Sequence, residues 1–256
     1  TRYRFTKVQE RAKLKTSIAR LVNILFPELE GMFSSLHIAT VYALLREFPG
    51  ATHIASAHLT RLSNLSTSAS TGRFGKPTSI TSKSAAKLSI ATSMPAKSLE
   101  LRHTIQLIDE LNSEIGEIEA EIQKLMDELN SPILTIPGIG YDMGAMILAE
   151  IGDLTRFDSP DKILAYAGLS PTTYQSGCFN SPHSKMEKRG SRYLRYALFN
   201  ATKYVCIWDP TFNEYLAKKR AEGKHYYVAL SHAAKKLVRL IYALEKSHTP
   251  YIPKTI

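Results

Sequence analysis

A mainly α-helical fold is predicted, and three observations predict it. Apolar residues recur at helical spacing along residues 99–130, capped helical patterns follow one another between 158 and 246, and sustained period-2 alternation is scarce. The expected organisation has three parts. Residues 1–98 form a basic helical region with a Ser/Thr-rich loop, 99–130 a long acidic coiled-coil helix, and 131–256 a compact helical domain.

In the first part, Leu14, Ile18, Leu21, Val22 and Leu25 form an apolar stripe that Pro27 ends. "MFSSLHIATVYALLREFPG" (32–50) predicts a second helix closed by Pro49-Gly50. Residues 51–98 hold 18 Ser or Thr and no acid. Leu59, Leu62, Leu65, Ile80 and Leu88 still recur there, so short helices are expected, joined by a mobile basic loop around "TGRFGKPTS" (71–79). An acid-free, hydroxyl-rich surface suits phosphate contacts, and a solvated linker is the alternative.

Leu111, Ile115, Ile118, Ile122, Leu125 and Leu129 step by 4, 3, 4, 3 and 4, a heptad seam. Upstream, Leu101, Ile105 and Ile108 run into it with one slip of register. The acidic flanks repel DNA, so this helix is expected to pair with protein as the arm of a homodimer or higher oligomer. The alternative is a long helix packed within its own chain.

In the third part, Pro132 and Pro137 bracket "ILTI", and a helix runs through "MGAMILAEIG". Asp158 or Ser159 can cap a helix with Pro160 at its first position, and Gly168 suits its C-terminal end. A turn-rich stretch over 169–190 precedes helical patterns near 191–206, 210–221 and 226–246.

The net charge of +10 and the isoelectric point near 9.5 favour a polyanionic partner, nucleic acid before membrane. The charge is segmented: +4 over 1–50, +6 over 51–98, −7 over 99–130 and +7 over 131–256. No apolar run can span a membrane, and the charged start has no signal-peptide character. The first residue is Thr, so a fragment or processed product is expected. Two cysteines without a CxxC pair argue against a disulfide framework or structural zinc, and an intracellular setting fits.

Three motifs can carry chemistry. "LTIPGIGYDMGAMILAEIG" (134–152) resembles the hairpin of helix-hairpin-helix DNA-binding modules. Gly138 and Gly140 would let the backbone approach a phosphate, with helix N-terminal amides aimed at the anion; a plain tight turn is the alternative. "KMEKRGSRYLRYALFNATK" (185–203) carries Lys185, Lys188, Arg189, Arg192, Arg195 and Lys203. Arg192 and Arg195, three apart, share a face that suits a phosphodiester clamp or a merely solvated surface. Ser176, in "PTTYQSG", is an ordinary turn residue or a nucleophile; His183 could fold back towards it. Asp142, Glu150, Asp153, Asp158 and Asp161 could make a two-metal site, but capping and helix-end roles explain them better.

Taken together, "IPGIG", "GDLTRF", "AYAGLSP", "QSG", "RGSRYLR" and "GKHYYVALSHAAKKLVRLIYAL" (223–244) closely resemble the C-terminal domain of the DEDD-type insertion-sequence transposases and the related Piv/MooV DNA invertases. The resemblance covers about 131–246, and the helices before it are similar to the family's middle region. It implies a recombinase that cuts and rejoins DNA through a phosphoserine link, with Ser176 as nucleophile. It also implies a RuvC-like N-terminal domain whose four acidic residues hold Mg²⁺, a dimer in which serine and metal come from different subunits, and in several members a guide (bridge) RNA. That acidic tetrad cannot be mapped here: residues 1–98 hold only four acids, at 10, 28, 30 and 47. No cofactor is therefore expected in this chain, and the chain by itself is expected not to cut DNA. A cytoplasmic, nucleoid-associated protein of bacteria or archaea is expected. A DNA- or RNA-binding module without catalysis stays as the alternative.

Overall fold

The computed structural model describes residues 1–70, 72–171, 175–176, 179–180 and 186–253, the side chains of 175, 176, 179 and 180 excepted. The fold is mainly α, as predicted. Contacts divide the chain into two compact units, Arg4–Glu117 and Thr1–Tyr3 with Ile118–Ile256. The division falls inside the first helix and inside the longest one.

The N-terminal unit contains α1 (Arg2–Leu25), a 3-10 turn (Pro27–Met32), α2 (Ala39–Glu47), α3 (Ala51–Ser56), α4 (Leu59–Ala69), α5 (Lys76–Leu88) and most of α6 (Pro95–Leu129). Ile18, Leu21, Val22 and Leu25 of α1 are buried, as their spacing predicts. They join Leu101, Ile105 and Ile108 of α6 in one core. α1 runs antiparallel to α6, and its cations meet α6's polar flank. Arg20 pairs with Glu100 at 3.0 Å, Arg11 donates to Asn112 at 2.8 Å and Lys7 pairs with Glu114 at 2.6 Å. With Asp109 paired to Arg46 of α2, three acids of this segment are answered inside the unit.

The seam of α6 divides. Leu111, Ile115 and Ile122 are buried within the chain, whereas Leu125 and Leu129 are 55% and 60% exposed and Met126 takes the buried place. A straight α-helix drifts about 20° per heptad against a 3.5-residue repeat, so a strict seam walks off one face. The expected helix over 32–50 spans only 39–47. Ser35 accepts a bond from the amide of His37 instead, the local competition that serines offer a helix.

The Ser/Thr-rich stretch is helical rather than a linker. Its hydroxyls bond back to carbonyls one turn earlier: Thr67 to Ser63 at 2.8 Å, Ser70 to Ser66 at 2.6 Å and Ser79 to Gly75 at 3.2 Å. Ser66, Ser79 and Ser82 are buried, small enough to let α4 and α5 pack together. Within the expected loop, residues 76–79 already belong to α5.

The C-terminal unit continues from Ile118 through a 3-10 turn (Pro132–Thr135), α7 (Tyr141–Ile151), a second 3-10 turn (Leu154–Arg156) and α8 (Pro160–Tyr166). A short hairpin of β1 (Gln175–Ser176) and β2 (Phe179–Asn180) precedes α9 (Arg192–Trp208), α10 (Pro210–Ala221) and α11 (Tyr226–Ser247). Ser159, not Asp158, takes the N-cap position of α8. α9 is central and packs on α7, α10 and α11. Its buried face is Leu194, Ala197, Leu198, Ala201 and Val205, and α11 presents Ala229, Leu230, Ala233 and Leu237. Alanines on both faces permit close approach, so aliphatic contacts are dense. Asp209 caps α10 through the Phe212 amide at 2.9 Å and accepts the Tyr251 hydroxyl at 2.7 Å, which ties the chain's end to this core. Among the described residues, no helix is long and apolar enough to cross a membrane.

Candidate functional site

The segment around Ser176 is an excursion with a built root. Two stretches, 166–171 and 186–191, lie against each other and bond across. The Lys188 amide donates to Gly168 at 3.1 Å, the Glu187 amide to Ser170 at 3.0 Å and the Ser191 amide to Tyr166 at 2.8 Å. Pro171 and Met186 form an antiparallel bridge beyond them. We refer to this paired root as the stem. Gly168 has φ +66° and Gly190 φ +98°, a region that glycine alone enters freely. Space is as demanding as the dihedrals. A Cβ on Gly168 would collide with the Arg189 carbonyl, and one on Gly190 with the Tyr166 carbonyl. The two motif glycines are therefore paired devices, each clearing a path for the opposite strand of the stem.

Arg195 locks the arrangement from below. Its Nη1 donates to the carbonyls of Ala167 at 2.9 Å and Lys188 at 3.2 Å, one on each side of the stem. Lys188 sits at φ +56°, a conformation that a non-glycine residue holds only where its surroundings fix it. On the far side of the stem, Ser176 lies in β1 opposite Phe179 of β2. The side chain of Ser176, and Lys185 and His183 altogether, lie outside the described residues.

The N-terminus of α9 is anchored separately. Ser191 caps it, accepting from the Leu194 amide at 3.1 Å, while its hydroxyl donates to Glu150 Oε2 at 2.6 Å. Glu150, on the last turn of α7, is 5% exposed and also accepts two bonds from Arg2, at 2.6 and 2.9 Å. The Arg2 hydrogen bond holds its carboxyl below the usual carboxylate range against the cost of burial, and the Ser191 hydroxyl helps. Glu150 thus stands at a helix end, as expected, and also joins α7 to α9. Asp153 accepts from the Thr155 amide at 2.8 Å and Asp161 pairs with Arg239 at 3.1 Å. Among the described residues, no group of three His, Cys, Asp or Glu side chains gathers where it could hold a metal.

The two glycines of "GIG" have different reasons. Gly138, at φ +93°, faces the α9 backbone: a Cβ would come 2.6 Å from the Tyr204 carbonyl carbon and 2.7 Å from the Val205 nitrogen. Its bareness serves the packing of this turn on α9. Gly140 is the N-cap of α7, and a Cβ there would meet nothing within 4 Å. An anion could approach the first amides of α7 from that open side, although Asp142 places a carboxylate in the same turn.

The basic residues separate as well. Arg192 is exposed, donates to the Tyr193 hydroxyl at 2.8 Å and lies 4.8 Å from that ring's centre. Arg195 is half-buried in the stem, so the two arginines do different work. Lys188 and Arg189 are exposed, with Arg189 3.8 Å from Glu187, and Lys203 is half-buried. One feature escaped sequence reasoning. Tyr196, Tyr204, Ile207 and Trp208 are exposed along α9. Their signal was present, because the helix is apolar on more sides than one core face needs.

Residues 130–217 match the family model described as the transposase IS116/IS110/IS902 family. The chain is 35% identical over 138 residues to an insertion element IS110 uncharacterized 43.6 kDa protein of Streptomyces coelicolor, covering 52% of this chain and 33% of that protein. It is 32% identical over 148 residues to the IS900 uncharacterized 42 kDa protein of Mycobacterium paratuberculosis, covering 57% of this chain and 37% of the relative. It is 30% identical over 155 residues to the pilin gene-inverting protein of Moraxella bovis, covering 59% and 47%. The chain spans between a third and a half of these relatives' lengths. The matched segment contains the GIG turn, both sides of the stem, α9 and most of α10, and over it the chain is similar to the IS116/IS110/IS902 transposase family.

Proposed function

We propose that this chain is the serine-bearing part of a DNA transposase or site-specific recombinase, with Ser176 as the nucleophile. The observation that supports it best is the stem. Gly168, Gly190 and Arg195 fix the root of the Ser176 excursion on the N-terminus of α9, beside exposed Lys188, Arg189 and Arg192. A turn with no task needs no such root. In the reaction, the Ser176 oxygen attacks phosphorus, forming an O–P bond as the bond from phosphorus to the oxygen of one strand end breaks, and the proton lost by the serine is matched by one gained by that departing oxygen, which leaves as a hydroxyl. Attack by the hydroxyl of another strand reverses the exchange and releases the serine, so the energy of the phosphodiester is retained.

Arg192 and its exposed neighbours would bind phosphate oxygens. Arg195 is a positioning residue in this scheme, since its Nη1 already serves two stem carbonyls. Mg²⁺ would come with a RuvC-like half supplied outside these residues, in whose absence the chain would bind without cutting. Pairing between copies would use the exposed Leu125 and Leu129 end of α6. A guide RNA, where one takes part, would meet the acid-free 51–98 region. The setting would be the cytoplasm, at the nucleoid.

A second reading, a nucleic-acid-binding module without catalysis, is favoured by the open side of Gly140 and the exposed aromatics of α9. Ser176→Ala separates the two. With a RuvC-like half supplied, strand transfer should fall by at least about 10³-fold while DNA affinity stays within about twofold. Transfer undiminished in Ser176→Ala would leave only the binding module.

A further inference from the structure

A cavity of about 400 Å³ opens where the stem lies against α9 and α11. Neither the stem's bonding nor the scheme for Ser176 uses it. Its apolar part comes from Leu169, Phe199 and Val228. Pro171 and Met186, the bridged pair at the top of the stem, line it on the side of the Ser176 excursion. Tyr227, 58% exposed, stands at its edge, packed against Tyr226 at 5.3 Å between ring centres. The polar contribution is Ser231, His232 and Lys235, one stretch of α11, and no carboxylate is among the described lining residues. Burial lowers the pKa of His232, and Lys235, Lys219 and Lys224 lower it further against Glu222, which favours the neutral ring, able both to donate and to accept.

We propose that this cavity holds the nucleobase of an unpaired DNA nucleotide close to the strand bound at Ser176. The inference rests on the nucleic-acid reading above and adds a site to it. The volume lies within the range of small-ligand sites, roughly 300–1,000 Å³. Apolar and aromatic walls suit a base plane, the neutral imidazole and hydroxyl suit a base edge, and Lys235 suits the phosphate that follows. Position also favours it. Ser176 is five residues beyond Pro171, so even a fully extended chain puts it at most about 18 Å from the cavity wall. An enzyme that exchanges strands must hold unpaired nucleotides while ends are loose, and a pocket rooted in the same stem would hold one in fixed register with the serine.

The test uses the whole chain, a 16-nucleotide single-stranded DNA, the duplex and RNA of the same sequence, and a series of single strands with one abasic position each. Val228→Trp fills the cavity and Tyr227→Ala removes its edge; Arg192→Ala, away from the cavity, serves as the control, and melting curves confirm folding. With each strand tethered at its 5′ end by a short duplex, wild type should lose about 10-fold in affinity at one abasic position counted from that junction. Val228→Trp should weaken single-strand binding by a similar factor, abolish that positional dependence and leave duplex binding within twofold. Arg192→Ala should weaken all strands and keep the positional dependence. Folded Val228→Trp and Tyr227→Ala variants with wild-type affinity and positional profile would overturn the inference while the nucleic-acid reading stood. Positional dependence on RNA alone would overturn the assignment to DNA. A wild-type chain that binds no strand at all would remove both readings together.

Discussion

The Ser/Thr-rich helices of the N-terminal unit and the stem of the C-terminal unit are both ordered by polar bonding, by opposite means. In α4 and α5 the polar residues satisfy themselves one turn away, as Thr67 and Ser79 do, and small size lets the helices close. In the stem the two sides are joined at long range: Gly168 and Gly190 answer carbonyls about twenty residues distant in sequence, and one arginine spans both sides. A locally satisfied helix tolerates change position by position. A stem built on reciprocal close approach fails as a whole.

That contrast can be broken most sharply at the glycines. Gly190→Ala places a Cβ against the Tyr166 carbonyl at φ +98° and should destabilise the C-terminal unit by about 3 kcal/mol or more. Gly116→Ala in α6, where a Cβ meets nothing within 4 Å, should stabilise by about 0.5–1 kcal/mol. Urea unfolding followed by far-UV circular dichroism, with Trp208 fluorescence reporting the C-terminal unit, measures both. Equal effects would remove the contrast.

The anchor of α9 makes a smaller prediction with a pH signature. The carboxyl of Glu150 is lowered in the folded chain, so its contribution is fully present above its unfolded value of about 4.3 and is lost as pH falls through the lower folded value. Glu150→Gln should be less stable than wild type at pH 7, and the gap should narrow as both are taken from pH 5 to pH 3. A constant gap would mean that the carboxylate's charge does not matter. The smallest effect is expected at the exposed ion pairs between α1 and α6: Arg20→Ala should cost less than about 1 kcal/mol and lose its effect at high salt.

Helix existence was legible in the sequence because it depends on local spacing, and the patterns near 191, 210 and 226 sit within about two residues of the observed helices. Partners were less legible. The α6 seam reads as a heptad on its own line of residues, and α1, some ninety residues earlier, and α2 show what its upper part packs against. Glu150 has the place of a helix-end residue until Ser191 and Arg2 are brought to it. Gly168 reads correctly as a helix terminator, yet its second task depends on Arg189, which no periodicity connects to it. The GIG turn shows the same limit: two glycines of one motif, one demanded by α9 and the other open.

The most direct test of the central claim is a search for the covalent link itself. The chain, supplied with a family-type RuvC-like half, Mg²⁺ and a nicked suicide DNA, is digested and its peptides are examined by mass spectrometry. The account predicts a nucleotide adduct on Ser176, absent from Ser176→Ala and strongly reduced in Gly190→Ala. DNA bound and cut, with no adduct on Ser176, would contradict it.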